Sequence, residues 1–447
     1  MAQRSKTTSI AKSATVATFA TIVGYAATVA QQVLYARGLG IGSNTDALAV
    51  ALAWAVATTG LVGTTLMSVV VPTYIAARHN HPLRATAIAR NSNAVAFGIG
   101  LIFAAVTFGL APQIAPILLP GSDSSTRHAL EGLLRITAPL HVLWIVAVAT
   151  TALANARGQF LLAAASTVVP SLPIIVALVL IPPPTVERTA AAYSIGIVAQ
   201  ITLLTVLGNG WGRDAVPAFS RGLIVPLVRA AAPMAIAFGF MGLSSLAVRS
   251  IASFGGPGDA ASLDYATRLT TAMESVLTAG SLAVALTIWS EDAVRVGPAR
   301  LPLGRAILIA TALSISAAVS LIWLAVPITD VLFGNGRLPP HQIALVSSAL
   351  VWLAPGLAAR MVHMVGMRML LAQRATWSIT AIGLLALVGV VGGALVGRAE
   401  GGLVGVAAGY SAGWIIATVV TLLALVRIKP QLDLADARTI SGSAGRP

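Results

Sequence analysis

Apolar residues run along this chain in blocks of about 20 or more, the length a helix needs to cross a hydrocarbon core, and polar residues are confined to short turns between them. By length the pattern predicts about twelve spans. The first six run from Ala14 to Tyr35, Ala47 to Ala77, Ala94 to Leu119, Leu130 to Ala154, Leu161 to Ile181 and Ala190 to Leu207. The second six run from Leu223 to Val248, Leu263 to Ile288, Leu303 to Ile328, Ile343 to Met364, Trp377 to Val396 and Leu403 to Val426. Between the two sets lies the Gly-rich polar stretch GNGWGRDAVPAFSRG, residues 208–222. It reads as a cytoplasmic linker joining two six-helix bundles, 1–207 and 223–430, with a polar tail over 431–447. Thr45–Tyr74 and Asp264–Ser290 both leave a polar loop, run through a Thr-, Ser- and Gly-rich helix and end at a basic loop, a weak internal repeat that supports two parallel bundles.

Composition agrees with an all-α polytopic membrane protein. Of 447 residues 57% are hydrophobic and 9% charged, and the mean hydropathy is +0.88. The chain has no cysteine, which excludes disulfides, thiolate metal sites and a cysteine nucleophile, and its six histidines show no ligand spacing. No triad, metal site or nucleotide loop appears, so neither an enzyme nor a bound cofactor is expected. The 28 basic residues against 14 acidic ones are dispersed singly between apolar blocks, so they read as topology signals and not as a nucleic-acid surface. Most, from Arg4, Lys6 and Lys12 through Arg78, Arg84, Arg90 and Arg157 to Arg427 and Lys429, fall in alternate loops. The positive-inside rule then puts both termini in the cytoplasm. The first apolar block ends in Gln31, Gln32 and Arg37 without a small-residue cleavage site and reads as a retained helix. Small residues suit close helix contacts. Pro72, Pro112, Pro170, Pro173, Pro233, Pro327 and Pro355 are expected to kink or end spans, and Trp144, Trp211, Trp289 and Trp414 to anchor at the interface.

Charge within or beside a span is costly enough to mark function. Arg37 and Asp46 sit at the mouths of two apolar blocks in ARGLGIGSNTDALAVAL, residues 36–52, and Asp46 either caps a helix start or pairs with an arginine. Glu274 lies inside a span six residues after Arg268, about 240° around the helix and so on another face, where it is either a proton-titrating site or the partner of a basic residue on the next helix. Arg360 and His363 share a face.

Six segments in order resemble the lipid II flippases (MurJ, also called MviN) of the MOP exporter superfamily. ARGLGIGSNTDA is similar to that family's first outer loop, LAPQIAPILLPG to the end of its third helix, and ALANARGQF to the pattern after its fourth, with Gln159 in place of an Arg. VRSIASFGGPGDAASLDYATRL resembles the joint of helices seven and eight, and PITDVLFGNGRL and PGLAARMVHMVGMRMLLAQRAT resemble helices nine to eleven. The resemblance implies a V-shaped pair of bundles in the bacterial cytoplasmic membrane. It further implies an alternating-access flippase for a polyprenyl diphosphate-linked saccharide, lipid II or a related peptidoglycan precursor, with membrane lipids and cell-wall synthesis proteins as partners. Arg37, Asp46 and Arg268 match positions tied to the family's substrate cavity, and Arg249 matches more weakly. Guanidinium forks suit phosphate oxygens, so the arginines are expected to converge on the diphosphate, with Glu274 as a candidate coupling acid. The chain departs from the family at Gln31, where a second Arg is usual, and at Thr267 and Thr271, where acids are usual. It lacks the acids of the family's sodium site in helices seven and eleven, and it ends two helices short of the usual fourteen. A small-molecule exporter of the related MATE type and a non-transporting envelope scaffold are the alternatives.

Overall fold

The computed structural model describes residues 2–65, 74–75, 77–78, 82–208, 221–278, 303–334, 338–372 and 375–443. Among these residues every regular element is helical. In chain order the first half contains α1 (Ala2–Leu39), α2 (Ser43–Thr59), α3 (Pro82–Gly109), α4 (Ala111–Leu118), α5 (Ser124–Ala156), α6 (Phe160–Ala165), α7 (Ser171–Val179) and α8 (Val186–Leu207). The second contains α9 (Arg221–Ala252), α10 (Asp259–Thr278), α11 (Leu303–Phe333), α12 (Pro340–Ala372) and α13 (Thr376–Ser443). Nine helical segments among the described residues are long and apolar enough to cross a membrane. The chain is a multi-pass membrane protein.

Several expected spans are interrupted, each for a local reason. The third splits at Leu110 into α3 and α4, where Pro112 enters the first turn of the shorter helix. The fifth is broken into α6, a 3₁₀ turn over Ser166–Val168, and α7, which starts after Pro170. α2 continues into a π-helical turn over Gly60–Thr64. Pro327 and Pro355 lie inside α11 and α12. α13 carries the last two spans, separated at Gly401 and Gly402, the latter at φ +57°, where a side chain is disfavoured. Its two arms cross where Gly397 meets Gly405 and Gly393 meets Gly409, so close that a Cβ on any of them would strike the opposing backbone. Part of the eighth span, Pro72, Trp211, Trp289 and residues 209–220 of the expected linker lie outside the described residues.

Large apolar side chains lie on the outside as well as in the core. Leu101, Ile102, Phe108, Leu308, Trp323 and Val331 point outward, while the interior holds Ala, Thr and Ser at helix crossings. Hydroxyls on these helices return hydrogen bonds to their own carbonyls, as Thr137 does to Leu133 and Thr329 to Ala325. One polar group of the first half is packed to saturation. Fully buried His141 meets Thr58 Oγ1 at 2.6 Å through Nδ1 and Thr107 Oγ1 at 2.9 Å through Nε2, while Trp54 Nε1 donates to Thr107. Trp414, expected at the interface, is instead 3% exposed and packed edge-on against His363 and Tyr410. Trp144 sits edge-on against Tyr193.

Within the first half α5 packs on α2, α3 and α8, and within the second α13 packs on α9 and α12. The two sets meet where α1 lies on α10 and α11, and α2 on α9 and α10. This seam positions Arg37, Asp46 and the Arg249–Asp264–Arg268 cluster described below.

Candidate functional site

Charged side chains gather in three clusters, two of them at the seam. The first closes one end of it. The Asp46 carboxylate, 2% exposed in the first turn of α2, accepts the backbone N–H groups of Gly258 and Ala261, both at 2.6 Å. Those are free N–H groups at the start of α10, so Asp46 caps a helix of the opposite half and meets the positive end of its dipole. It neither caps its own helix nor pairs with Arg37. Gly258 adopts φ +96°, which turns its N–H toward Asp46 and favours glycine there. Arg37 does the complementary thing at the last turn of α11: its Nε donates to the Leu332 carbonyl and its Nη2 to that of Val331, both at 3.0 Å. A cation thus meets the negative end of one helix and an anion the positive end of another, both across the seam. The Tyr265 hydroxyl adds a bond to the Gly40 carbonyl at 3.1 Å, and Gly121 N donates to Ser253 Oγ at 3.4 Å.

The second cluster is deeper. Arg249, in the last turn of α9, donates from Nε to Asp264 Oδ1 at 2.9 Å, with Nη2 at 2.7 Å from the same oxygen. Arg268, one turn beyond Asp264 on α10, donates from Nε to Oδ2 at 2.5 Å. Asp264 is 3% exposed, so one buried carboxylate holds two guanidiniums side by side and leaves the trio with a net charge of +1. Arg249 Nη1 also donates to the Ser245 carbonyl and hydroxyl. Arg268 Nη1 reaches across the seam to the Tyr193 hydroxyl at 3.4 Å, which also accepts from Gln31 Nε2 at 2.6 Å.

The third cluster lies within the second half. Arg360 of α12 pairs with Glu274 Oε2 at 2.5 Å, donates to the Tyr410 hydroxyl at 3.0 Å and lies over the Trp414 ring. Glu274 does face away from Arg268. His363 bonds Thr421 Oγ1 at 2.8 Å.

Arg249 and Arg268 are therefore brought together, while Arg37 stands apart from them in the seam contact. Reading the sequence missed Asp264, although an acid four residues before an arginine in a chain this poor in charge was a usable signal. Tyr193 had no such signal. No group of three or more His, Asp or Glu side chains suited to a metal ion occurs among the described residues.

The family profile described as "Lipid II flippase MurJ" matches residues 35–445. The chain belongs to the MurJ lipid II flippase family. Members of this family are transporters and not enzymes, and the family acts on a lipid-linked precursor. Solved structures agree on the fold. "Lipid II flippase MurJ, inward closed conformation" superposes with a TM-score of 0.77 at 18% identity, covering 94% of this chain and 90% of the other. An inward-facing multidrug resistance MATE transporter of the MOP superfamily gives 0.75 at 18% identity, covering 94% and 99%. A MOP superfamily transporter from Pyrococcus furiosus, described as having a binding pocket of reverse polarity, gives 0.72 at 15%, covering 94% and 96%. Comparison with curated proteins returned no match.

Proposed function

We propose that this MurJ-family protein flips a polyprenyl diphosphate-linked saccharide, lipid II or a related peptidoglycan precursor, from the inner to the outer leaflet of the bacterial cytoplasmic membrane by alternating access. The observation that carries this reading is the pair of guanidiniums, Arg249 and Arg268, held side by side on the buried Asp264 carboxylate at the seam between the halves. Two planar forks of N–H donors in a site shielded from bulk water match the oxygens of a diphosphate. A cation exporter would require the opposite sign of field. The sequence's Lys and Arg distribution makes the Gly40 end the outer face and puts both termini in the cytoplasm. In that orientation Asp46 and Arg37 form an outer gate, closed here, and act on the conformational cycle without contacting the substrate. Glu274, paired with Arg360, is the candidate for coupling flipping to the membrane potential or a proton gradient. The chain itself divides into 1–207, a cytoplasmic linker at 208–222, 223–430 and a polar cytoplasmic tail at 431–447.

The test is rescue of cells depleted of their own lipid II flippase, comparing wild type with Arg249→Ala and Arg268→Ala at matched membrane expression. Rescue by wild type and failure of both variants is the expected result. A well-expressed wild type that does not rescue removes lipid II as the substrate and leaves another polyprenyl-linked glycan, or the scaffold role, to account for the protein.

A further inference from the structure

The central cluster has two unlike walls. The second half supplies all of its charge, Arg249, Asp264 and Arg268. The uncharged groups that meet it from the first half are the Tyr193 hydroxyl of α8 and the Gln31 amide of α1 bonded to it, with Tyr35 of α1 and Trp144 of α5 packed on the Tyr193 ring and Gln32 next to Gln31 on α1. At 100° per residue Gln31, Gln32 and Tyr35 fall within about 100° of one another on α1. The Tyr35 and Tyr193 ring centroids are 6.3 Å apart and tilted by 30°, and Trp144 meets Tyr193 edge-on at 6.1 Å. Gln32 is 2% exposed, yet among the described residues neither of its amide atoms has a hydrogen-bond partner. A buried amide with nothing to bond carries its full desolvation cost, so both its donor and its acceptor are available to a polar, uncharged group.

The chemistry narrows the occupant. A phosphate calls for cationic donors, which this wall lacks. An isoprenoid tail gains nothing from two buried amides. Hydroxyls and an N-acetyl amide satisfy glutamine donors and acceptors, and the electron-rich faces of Tyr and Trp attract the weakly positive C–H face of a pyranose ring. We propose that Gln31, Gln32, Tyr35, Tyr193 and Trp144 form a saccharide subsite, which holds the first sugar of the lipid-linked substrate while its phosphates lie on Arg249 and Arg268. This rests on the function proposed above and assigns the two ends of the headgroup to different halves. A substrate bound this way spans the seam, so its sugar and its phosphates each bias one half of the transporter.

The test uses the full chain in lipid nanodiscs with two probes, undecaprenyl diphosphate and undecaprenyl diphosphate bearing one N-acetylated hexose. Gln32→Met conserves volume and removes an amide that has no partner, so the thermal midpoint of the variant should hold or rise. Its affinity for the glycosylated probe should fall by about 10-fold or more, with affinity for the bare diphosphate unchanged. Trp144→Leu should act in the same direction, whereas Arg268→Ala should weaken both probes. Equal losses for both probes in Gln32→Met, or no loss for either, overturns the subsite and leaves the transport reading standing. A wild-type protein that binds the two probes equally also overturns the subsite alone. Failure of the wild type to bind either probe overturns the transport reading, and the subsite with it.

Discussion

Replacing Asp46 with Asn should open the end of the seam at Gly40. The side chain keeps its shape but loses its charge, and one of its two oxygens becomes an NH₂ group facing a backbone N–H donor. In the closed seam the carboxylate accepts two N–H bonds of 2.6 Å from Gly258 and Ala261. Hydrogen bonds to a charged group contribute about 1.5–3 kcal/mol each. Losing one and weakening the other, with some relief because a neutral amide is easier to bury, gives about 3 kcal/mol. At about 1.4 kcal/mol per factor of ten, that shifts the closed-to-open ratio by about 150-fold. The absence of native cysteine makes the assay clean. Spin labels at Asn44→Cys in the first half and His341→Cys in the second sit at exposed positions beside the gate, and electron–electron distance measurements in nanodiscs report their separation. The wild type should give a short distance and Asp46→Asn a second, longer population. A distribution unchanged in Asp46→Asn, and still unchanged when Arg37→Ala is added, would refute the gate.

Arg37→Lys keeps the charge but cannot span the Val331 and Leu332 carbonyls as a fork, so it should open the same label pair less than Arg37→Ala does. Asp264→Ala leaves two guanidiniums, one buried and one partly buried, without their counter-charge. It should cost about 3–5 kcal/mol, visible as a large fall in the thermal midpoint of the purified protein. Glu274→Gln should cost less than that because it leaves one guanidinium, not two, without a counter-charge and keeps an acceptor oxygen, and the Glu274→Gln/Arg360→Met double variant should recover most of the loss in a thermal double-mutant cycle. A Cβ at Gly121 would come within 2.4 Å of the Phe254 Cα across the seam, so Gly121→Ala should raise the open population between the Asn44 and His341 labels while leaving the helical content measured by circular dichroism unchanged.

Much of the fold was legible in the residues. Blocks of apolar residues long enough to cross a bilayer have almost no choice but to be helices, because a backbone in hydrocarbon must satisfy its own hydrogen bonds. The order of the motifs carried the family in the same way. The interruptions at Leu110 and Ser166 were harder to place, because proline and 3₁₀ turns inside a span leave mean hydropathy untouched. Among the site residues, rotation around the helix was enough to turn Glu274 away from Arg268, since that depends only on spacing along one element.

What the sequence by itself determined, then, is local or compositional: membrane helices, lack of thiol chemistry and arginines too costly to be idle. Tertiary structure decided the partners. Arg37 and Arg268 look alike in sequence, each near the end of a span, yet one holds the end of α11 across the seam and the other shares Asp264 with Arg249. Asp46 satisfies a helix start more than 200 residues away in the chain. Gln32 and Tyr35 acquired their role only when α1 was packed against the rest of the seam. Hydrophobic burial in a bilayer fixes which segments become helices, but it does not distinguish one apolar helix neighbour from another. The few polar contacts at the crossings are what single out one arrangement, and they exist only once the helices are brought together.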